Sequence, residues 1–530
     1  MSLSPDLRQR LLLVLVLLFC FFNLATALNL QFGFPLDDSY IHQTVARNLA
    51  TYGTPGLVPG QRSSGSTSAI WPYIQAAKYK FFSQTDPVTY NAWLSLLLLL
   101  AITQWLYTMA ERDGLPPPLR FLVAVAPAFC GNFLWLGFIG MEHLLFVALS
   151  MAAILAWCAL PARSSWALLA GFVAGTVALT RPEGIIFFPF LLLTARRVGR
   201  TWKQAAIAGA AWLPLVALLL ASNYRTSHAL LPSTYGGRAW LNFHDHGGPH
   251  SLWAFKNLLG SWALRPARML DANFSLLTPG ANAAYIAFLL LSIAMLALLV
   301  LGVVTLVRLH STRLIVLCAW CLLHMLTYEI SFPNSGHGGR YQPLWLILIF
   351  PLVALGVLRA LRWIAPSENW PLYATAAVLL AASTTSLFSW RTVLLDGIAH
   401  INNTDGRMAE WTNDHLPGDA KIASFDIGRI SYDRATDPVV DLGGLADHSY
   451  LPYLMAGNIA PYLSQQRVQY VMVPSGMLPL FGLDSPRLTG QPLVTFCSPQ
   501  QVWRLGYENT HHAQICQTMF RFLPVELSER

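Results

Sequence analysis

Charge is what this sequence has least of. Asp, Glu, Lys and Arg together make up 11% of its 530 residues, where a soluble protein carries about a quarter. That scarcity excludes an ordinary water-exposed globule. Hydrophobic residues at 55% and a mean hydropathy of +0.47 point to a bilayer instead. Several short motifs are also missing. There is no GxxxxGK(S/T) nucleotide loop, no GxSxG elbow and no HExxH metal motif, so ATP hydrolysis, serine-hydrolase and zinc-protease chemistry lack support. No repeat of fixed period is present, and SSGSTS is the only low-complexity patch. Nothing reads as a nucleic-acid module, and the formal charge of +8 needs another explanation.

The basic residues supply it, because they gather in short connectors between apolar runs. The first run follows Arg8 and Arg10. A signal-cleavage pattern occurs at Ala25-Thr26-Ala27, but the many later spans favour an uncleaved first helix. Further runs centre near 91–110, 121–138, 143–160, 166–180, 184–195, 204–221, 281–307, 314–331, 342–358 and 371–390. That gives about eleven spans, with the Pro-interrupted run at 184–195 expected to be a partial helix. With the N-terminus inside, the inner connectors hold Arg112 and Arg120, then Arg163, then Arg196, Arg197, Arg200 and Lys203, then Arg308 and Arg313, then Arg359 and Arg362. Every one is basic, as the positive-inside rule requires.

This topology puts five polar features on the outer side: the Asp37 loop, the end of the TRPEG segment, loop 222–280, the loop SFPNSGHGGRYQ, and the tail after about residue 391. The tail is different material. A helical stretch near 404–415 precedes the turn signal LPGD, and KIASFD, DPVVDL and VQYVMVP read as strands. The expected organisation is a transmembrane domain over 1–394 and a small α/β extracytoplasmic domain over 395–530. Of seven cysteines, Cys318 and Cys321 have CxxC spacing inside a span and are expected to pack a helix face. Cys497 and Cys516 lie in the tail, where an oxidising compartment leaves them bridged or free.

Asp37 and Asp38 stand just beyond the first span, before an amphipathic stretch carrying Tyr40, Val45, Leu49 and Tyr52. They suit N-caps of a helix starting at Ser39, and equally a reaction at the lipid–water boundary between a lipid-borne donor and a water-borne acceptor. In SSGSTSAIWPY, Trp71 and Tyr73 read as interfacial anchors, and a second juxtamembrane helix is expected through Lys78 and Lys80. Glu142 and His143 in GMEHLLF, and Arg181 and Glu183 in TRPEG, sit at outer helix ends. Ionisable groups there are either inter-helix ion pairs or site residues. Arg225, His228, Tyr235 and Arg238 lie in the loop SNYRTSHALLPSTYGGRAW, and His337 and Arg340 in NSGHGGRYQP. Arginine beside glycines suits close contact with phosphate.

In this order, DDSYI, RNLATYG, STSAIW, GMEHLLF, TRPEG, LLPSTYGG, GGRY and a tail with FDIGRISY and VVDLGGLAD resemble the GT-C membrane glycosyltransferases. Within them the similarity is to bacterial arabinofuranosyltransferase-like and mannosyltransferase-like proteins that use polyprenyl-phosphate sugars. The resemblance implies a polytopic α-helical GT-C fold with juxtamembrane helices and a C-terminal α/β domain. It implies an inverting transfer on the outer face of a bacterial inner membrane, in cell-envelope glycan assembly. Asp37 would be the general base beside Asp38. Glu142, Arg181 and Glu183 would line the donor cavity, and Arg238 and Arg340 would hold the donor phosphate. Ser233 and Arg238 stand where asparagine and lysine are expected, which leaves the donor sugar open. His228, Tyr235 and His337 complete the expected substrate-binding set. The implied partners are a polyprenyl-phosphate-linked sugar, a glycan, lipid or protein acceptor, and membrane lipids. No cofactor is required by the sequence, and a divalent metal, Mg²⁺ or Mn²⁺, is open but unsupported. Transfer of a whole oligosaccharide to protein, a lipid or sugar transporter, and a scaffold whose tail binds a partner are the alternatives. Trp411, Tyr432 and Tyr450 are either acceptor contacts in the tail or part of its core.

Overall fold

The structure, a computed structural model, describes residues 4–63, 65–244, 248, 251–256, 259, 282–332, 336–365, 369–434, 439–499 and 515–524. Five of the described helices are long and apolar enough to cross a membrane: Pro5–Asn29, Pro87–Arg112, Trp202–Ser227, Pro343–Ile364 and Trp370–His415. Shorter apolar helices occupy Pro117–Phe129, His143–Trp157, Ser164–Thr180, Pro182–Leu193, Ile293–Arg308 and Thr312–Tyr328. One falls on each expected apolar run, and the partial helix is the 3₁₀ turn Pro182–Ile186 followed by Phe187–Leu193.

Local chemistry sets several helix ends. Asp86 accepts the Thr89 N–H at 2.8 Å to open Pro87–Arg112. Thr201 and Gln204 form a reciprocal capping box at Trp202–Ser227. Between helices, small residues decide who can be neighbours, as is usual where lipid offers no hydrophobic driving force. A Cβ on Gly171 would fall 2.0 Å from the Ala208 carbonyl oxygen, so Ser164–Thr180 and Trp202–Ser227 cross backbone to backbone. At the predicted inner end the connectors are tied down by charge: Arg10 Nη2 to Glu111 at 2.7 Å, and Arg313 Nη1 to Asp113 at 3.0 Å.

Helices Asp37–Tyr52 and Trp71–Phe81, between the first two spans, are not among these apolar helices. The first departs from its expected capping. It begins at Asp37 rather than Ser39, its N-cap position is Leu36, and neither aspartate caps it. Trp71 is no interfacial anchor either. It is buried, and its indole N–H donates to the Gly140 carbonyl at 3.0 Å. The segment ahead of it is ordered by side-chain hydroxyls, Ser68 Oγ accepting the Trp71 N–H at 3.0 Å.

The tail leaves Trp370–Ile401 through a π-helical turn, Asn402–Gly406, and continues as helix Arg407–His415. Its five-stranded sheet has strands β1 (Ile422–Ser424), β2 (Val439–Asp441), β3 (Tyr470–Pro474), β4 (Thr489–Cys497) and β5 (Cys516–Phe522), in the order β2-β1-β3-β5-β4. Strand β1 is parallel to β2 and β3, and β5 is antiparallel to β3 and β4. The sequence reading names only β1 to β3. Strand β4 hides because Pro492 falls within it, at a register irregularity on the sheet edge where proline is tolerated. Cys497 and Cys516 are paired residues on β4 and β5 and form a disulfide. Tyr450 is fully buried in the sheet-domain core, so it is not a surface for acceptor glycan.

The sheet domain docks on the segments that carry helix Asp37–Tyr52 and helix Ser233–Phe243. Arg47 Nη1 donates to the Tyr432 carbonyl at 2.8 Å. Helix Ser233–Phe243 lays Gly237 against the tail, where a Cβ would fall 2.2 Å from the Gly443 carbonyl oxygen. Trp240 of that helix joins the tail's core, stacked on Phe481 with centroids 5.9 Å apart.

Candidate functional site

Helix ends bring two groups of ionisable residues together. The first is built on the start of helix Asp37–Tyr52. Asp38 forms an ion pair with Arg340 Nη2, and the Asp38 side chain remains 26% exposed while that of Arg340 is 2% exposed. Arg340 Nη1 also reaches Met141 Sδ at 3.4 Å. Arg340 and Arg238 share one aromatic neighbour, their guanidinium carbons lying 5.2 and 5.0 Å from the Tyr341 ring centroid. Burial by itself would raise the Asp38 carboxyl. Arg340, then Arg238 and His337, override it and hold Asp38 well below the usual carboxylate range.

Asp37 points the other way. Its Oδ2 accepts the Gly428 N–H at 2.7 Å and its Oδ1 the Arg429 N–H at 2.6 Å, at the start of helix Gly428–Asp433 in the tail. The capping expected of this residue is therefore real, but the capped helix belongs to the other domain. Burial, followed by the facing carboxylate of Asp426, raises the Asp37 carboxyl against the pull of those two N–H donors.

The second group lies between spans. Arg181 Nη1 donates to Glu142 Oε1 at 3.0 Å, Arg181 Nε to Glu183 Oε1 at 2.5 Å, and Nη2 to the Tyr328 hydroxyl. His324 Nε2 lies 3.4 Å from Glu183 Oε1 and His42 Nε2 lies 3.7 Å from Glu142 Oε2. Thr67 Oγ1 donates to Glu142 at 3.4 Å and Ser66 Oγ lies 3.2 Å from His42 Nδ1. Glu142, with a side chain 0% exposed, has its charge balanced by Arg181 rather than by water.

A cavity of about 180 Å³ opens beside this group. Leu231, Pro232 and Phe332 give it an apolar wall, while Arg181, Arg238 and Tyr328 bring polar atoms to it. Tyr235 also lines it and packs edge-on against Phe332, centroids 5.0 Å apart. The arrangement is a greasy slot with guanidinium groups at its polar side, next to the Asp38–Arg340 ion pair.

Of the residues picked from the sequence, Asp37, Asp38, Arg238, His337 and Arg340 share the first group; Glu142, Arg181 and Glu183 form the second; and Tyr235 lines the cavity. His228 stands apart, an exposed residue ending helix Trp202–Ser227 in a left-handed conformation beside Tyr224. Sequence reading did not select His42, His324, Tyr328, Tyr341, Asp405 or Asp426. Asp426 had a signal, since it lies in the FDIGRISY segment, but no pattern tied that aspartate to the first loop. Among the described residues, no three His, Cys, Asp or Glu side chains are grouped so as to hold a metal ion.

The fold is that of the GT-C glycosyltransferases. The oligosaccharyltransferase of Archaeoglobus fulgidus in its apo form superposes with a TM-score of 0.54 at 12% identity, over 92% of this chain and 73% of that one. ArnT from Cupriavidus metallidurans bound to undecaprenyl phosphate does so with a TM-score of 0.50 at 12% identity, over 96% and 97% of the two chains. Residues 396–517 match a family described as a domain of unknown function, DUF8728. No curated protein matches the chain.

Proposed function

We propose that this protein is an integral-membrane glycosyltransferase. It moves a sugar from a polyprenyl-phosphate donor to an acceptor hydroxyl on the extracytoplasmic side, with inversion, in assembly of the bacterial cell envelope. The observation that carries the reading is the apolar cavity edged by Arg181 and Arg238, beside the Asp38–Arg340 pair and Asp37. A prenyl chain needs an apolar wall and its phosphate needs guanidinium donors. The undecaprenyl phosphate bound by ArnT, whose fold this chain shares, is a ligand of that chemistry.

The acceptor oxygen attacks the anomeric carbon, and its proton passes to Asp37. The bond from that carbon to the phosphate oxygen breaks, and the electron pair leaves with the phosphate. Asp37 suits the base role because burial and a facing carboxylate raise its proton affinity. Asp38 does not, since Arg340 holds it ionised. Each Asp37 oxygen uses one lone pair on a backbone N–H, and a carboxylate has about four acceptor positions, so room remains for the hydroxyl proton. Arg340 and Arg238 would receive the charge developing on the leaving phosphate. A single displacement inverts the anomeric centre, and phosphate leaves without a second carboxylic acid.

The Cys497–Cys516 disulfide supports an outward tail, because such bonds persist in oxidising compartments. It agrees with the basic inner connectors on an inward N-terminus and an extracytoplasmic domain over 395–530. Transfer of a lipid-linked oligosaccharide to protein is the second reading, favoured by the fold shared with the archaeal oligosaccharyltransferase.

The test is release of polyprenyl phosphate from a panel of polyprenyl-phosphate sugars by the full chain in lipid, with candidate acceptors. Wild-type release that is lost in Asp37→Asn supports the reading. A folded wild type that turns over no donor defeats it.

A further inference from the structure

Asp37 does not stand alone with Asp38. The loop that follows β1 carries Asp426 two residues ahead of Gly428, whose N–H is bonded to Asp37. Asp426 does no capping work of its own: the N-terminal N–H groups of helix Gly428–Asp433 go to Asp37, and the N-cap residue Ile427 makes no side-chain bond. Its backbone carbonyl accepts the Ser424 hydroxyl at 2.7 Å, and its Oδ2 accepts Gln517 Nε2 from β5. Those bonds fix the carboxylate at the carboxyl edge of β1, facing Asp37 and Asp38 across the domain junction.

A third carboxylate, Asp405, is in electrostatic reach of both Asp426 and Asp37. Asp405 sits in the π-helical turn Asn402–Gly406, a rare feature often found at functional sites. It is 1% exposed; one oxygen takes the Thr404 hydroxyl at 3.1 Å and the other has no hydrogen-bond partner. The nearby cations are turned elsewhere. The Arg429 guanidinium goes to Asp433 at 2.6 Å, to the Tyr40 hydroxyl at 2.9 Å and to Asn402 Oδ1 at 3.2 Å. Arg340 is paired with Asp38, and His337 also faces Asp38. Three carboxylates from three elements thus act on one another through their charges where two of the surrounding arginines serve other partners.

We infer that Asp426, supplied by the C-terminal sheet domain, is a positioning residue of the reaction centre that sets the proton affinity of Asp37 through their facing charges. The inference rests on Asp37 being the base. It makes the tail part of the catalytic apparatus and not an appended module: the backbone of Gly428 and Arg429 fixes where Asp37 points, and Asp426 fixes how strongly it takes a proton. Like charges at close range raise the affinity for a proton; Asp426 does this to Asp37, while Asp426 itself is raised to about 6 by burial and then by the charge of Asp38, against the Gln517 hydrogen bond. A base is most useful when its proton affinity lies near the working pH.

The sign of the effect follows. A general base must be unprotonated, so turnover rises with pH through its titration. Removing the Asp426 charge lowers the Asp37 titration and moves that acidic limb to lower pH. It also weakens the base, so the plateau falls.

The experiment uses the full chain in liposomes and two readouts. One is the infrared carboxyl band followed against pH, which needs no substrate. The other is the pH profile of kcat/KM with polyprenyl-phosphate pentoses and hexoses. The variants are Asp426→Asn, Asp426→Ser and the charge-preserving Asp426→Glu, with Asp37→Asn alongside. The expected result is a carboxyl titration that is missing in Asp37→Asn and moved down by about one pH unit in Asp426→Asn and Asp426→Ser, while Asp426→Glu stays near wild type. An unmoved titration in a folded neutral variant, with turnover still lost in Asp37→Asn, overturns this inference alone. Turnover that survives Asp37→Asn overturns the base assignment and this inference together.

Discussion

The carboxylate of Asp37 and the backbone of Gly428, 391 residues apart, are in direct hydrogen-bonded contact across the junction between the membrane helices and the sheet domain. A Cβ at position 428 would fall 2.0 Å from the Asp37 carbonyl oxygen. The contact therefore requires glycine for lack of space.

Gly428→Ala is expected to push the two domains apart at this point. Overpacking of this kind costs about 1–3 kcal/mol. Turnover should fall by about tenfold or more, because Asp37 loses both N–H donors, while the membrane helices stay folded. Thermal unfolding and polyprenyl-phosphate release, measured on one preparation, check both parts.

Arg340→Ala should lower kcat by about 10²-fold, the effect of removing one donor from a developing oxyanion. Arg340→Lys should recover only part of it, since an ammonium cannot make the paired bonds of a guanidinium. Steady-state kinetics with one donor over a range of concentrations separates kcat from KM. Equal activity in the lysine variant and wild type would contradict the role.

Arg181→Ala strands Glu142 and Glu183, whose side chains are 0% and 10% exposed. Breaking one partner of a buried ion pair costs about 3–5 kcal/mol, so this variant should unfold well below wild type in detergent. Replacing Glu142 with Gln in the same background should restore part of the loss, by removing one of the two stranded charges. The melting temperatures of the single and double variants decide it.

Reduction of Cys497–Cys516 should leave the membrane helices intact and loosen the edge of the sheet. The cysteines are 19 residues apart in sequence, and a bridge closing a loop of that length is worth about 3 kcal/mol in the chain-entropy account. Alkylation of the unfolded, unreduced protein should modify five cysteines and leave these two, with all seven modified after reduction. Mass spectrometry reads the count.

Much of the architecture could be read along the chain because bilayer burial acts on one segment at a time. Each apolar run is long enough to betray itself, and each has a helix on it. The same reading works for Asp37 as a capping acceptor in kind, since aspartate at such a place seeks backbone N–H groups. It fails on which helix is capped. Trp71 fails similarly: an indole beside a membrane run reads as an interfacial anchor until the Gly140 carbonyl is found next to it. His324 and Tyr328 were hidden inside a span, where periodicity reports burial and says nothing of a glutamate from another helix.

By itself, then, the sequence determined the apolar helices and the first three strands, because these depend on local hydropathy and turn chemistry. Only the tertiary structure decided that Asp38 pairs with Arg340 and Asp37 with Gly428, that Asp426 faces Asp37, and that Glu142 and Glu183 share Arg181. Apart from Arg181 and Glu183, which are two positions apart, those pairings join residues tens to hundreds of positions apart. Electrostatics and close packing act through space, and distance in space is set only when the whole chain has folded.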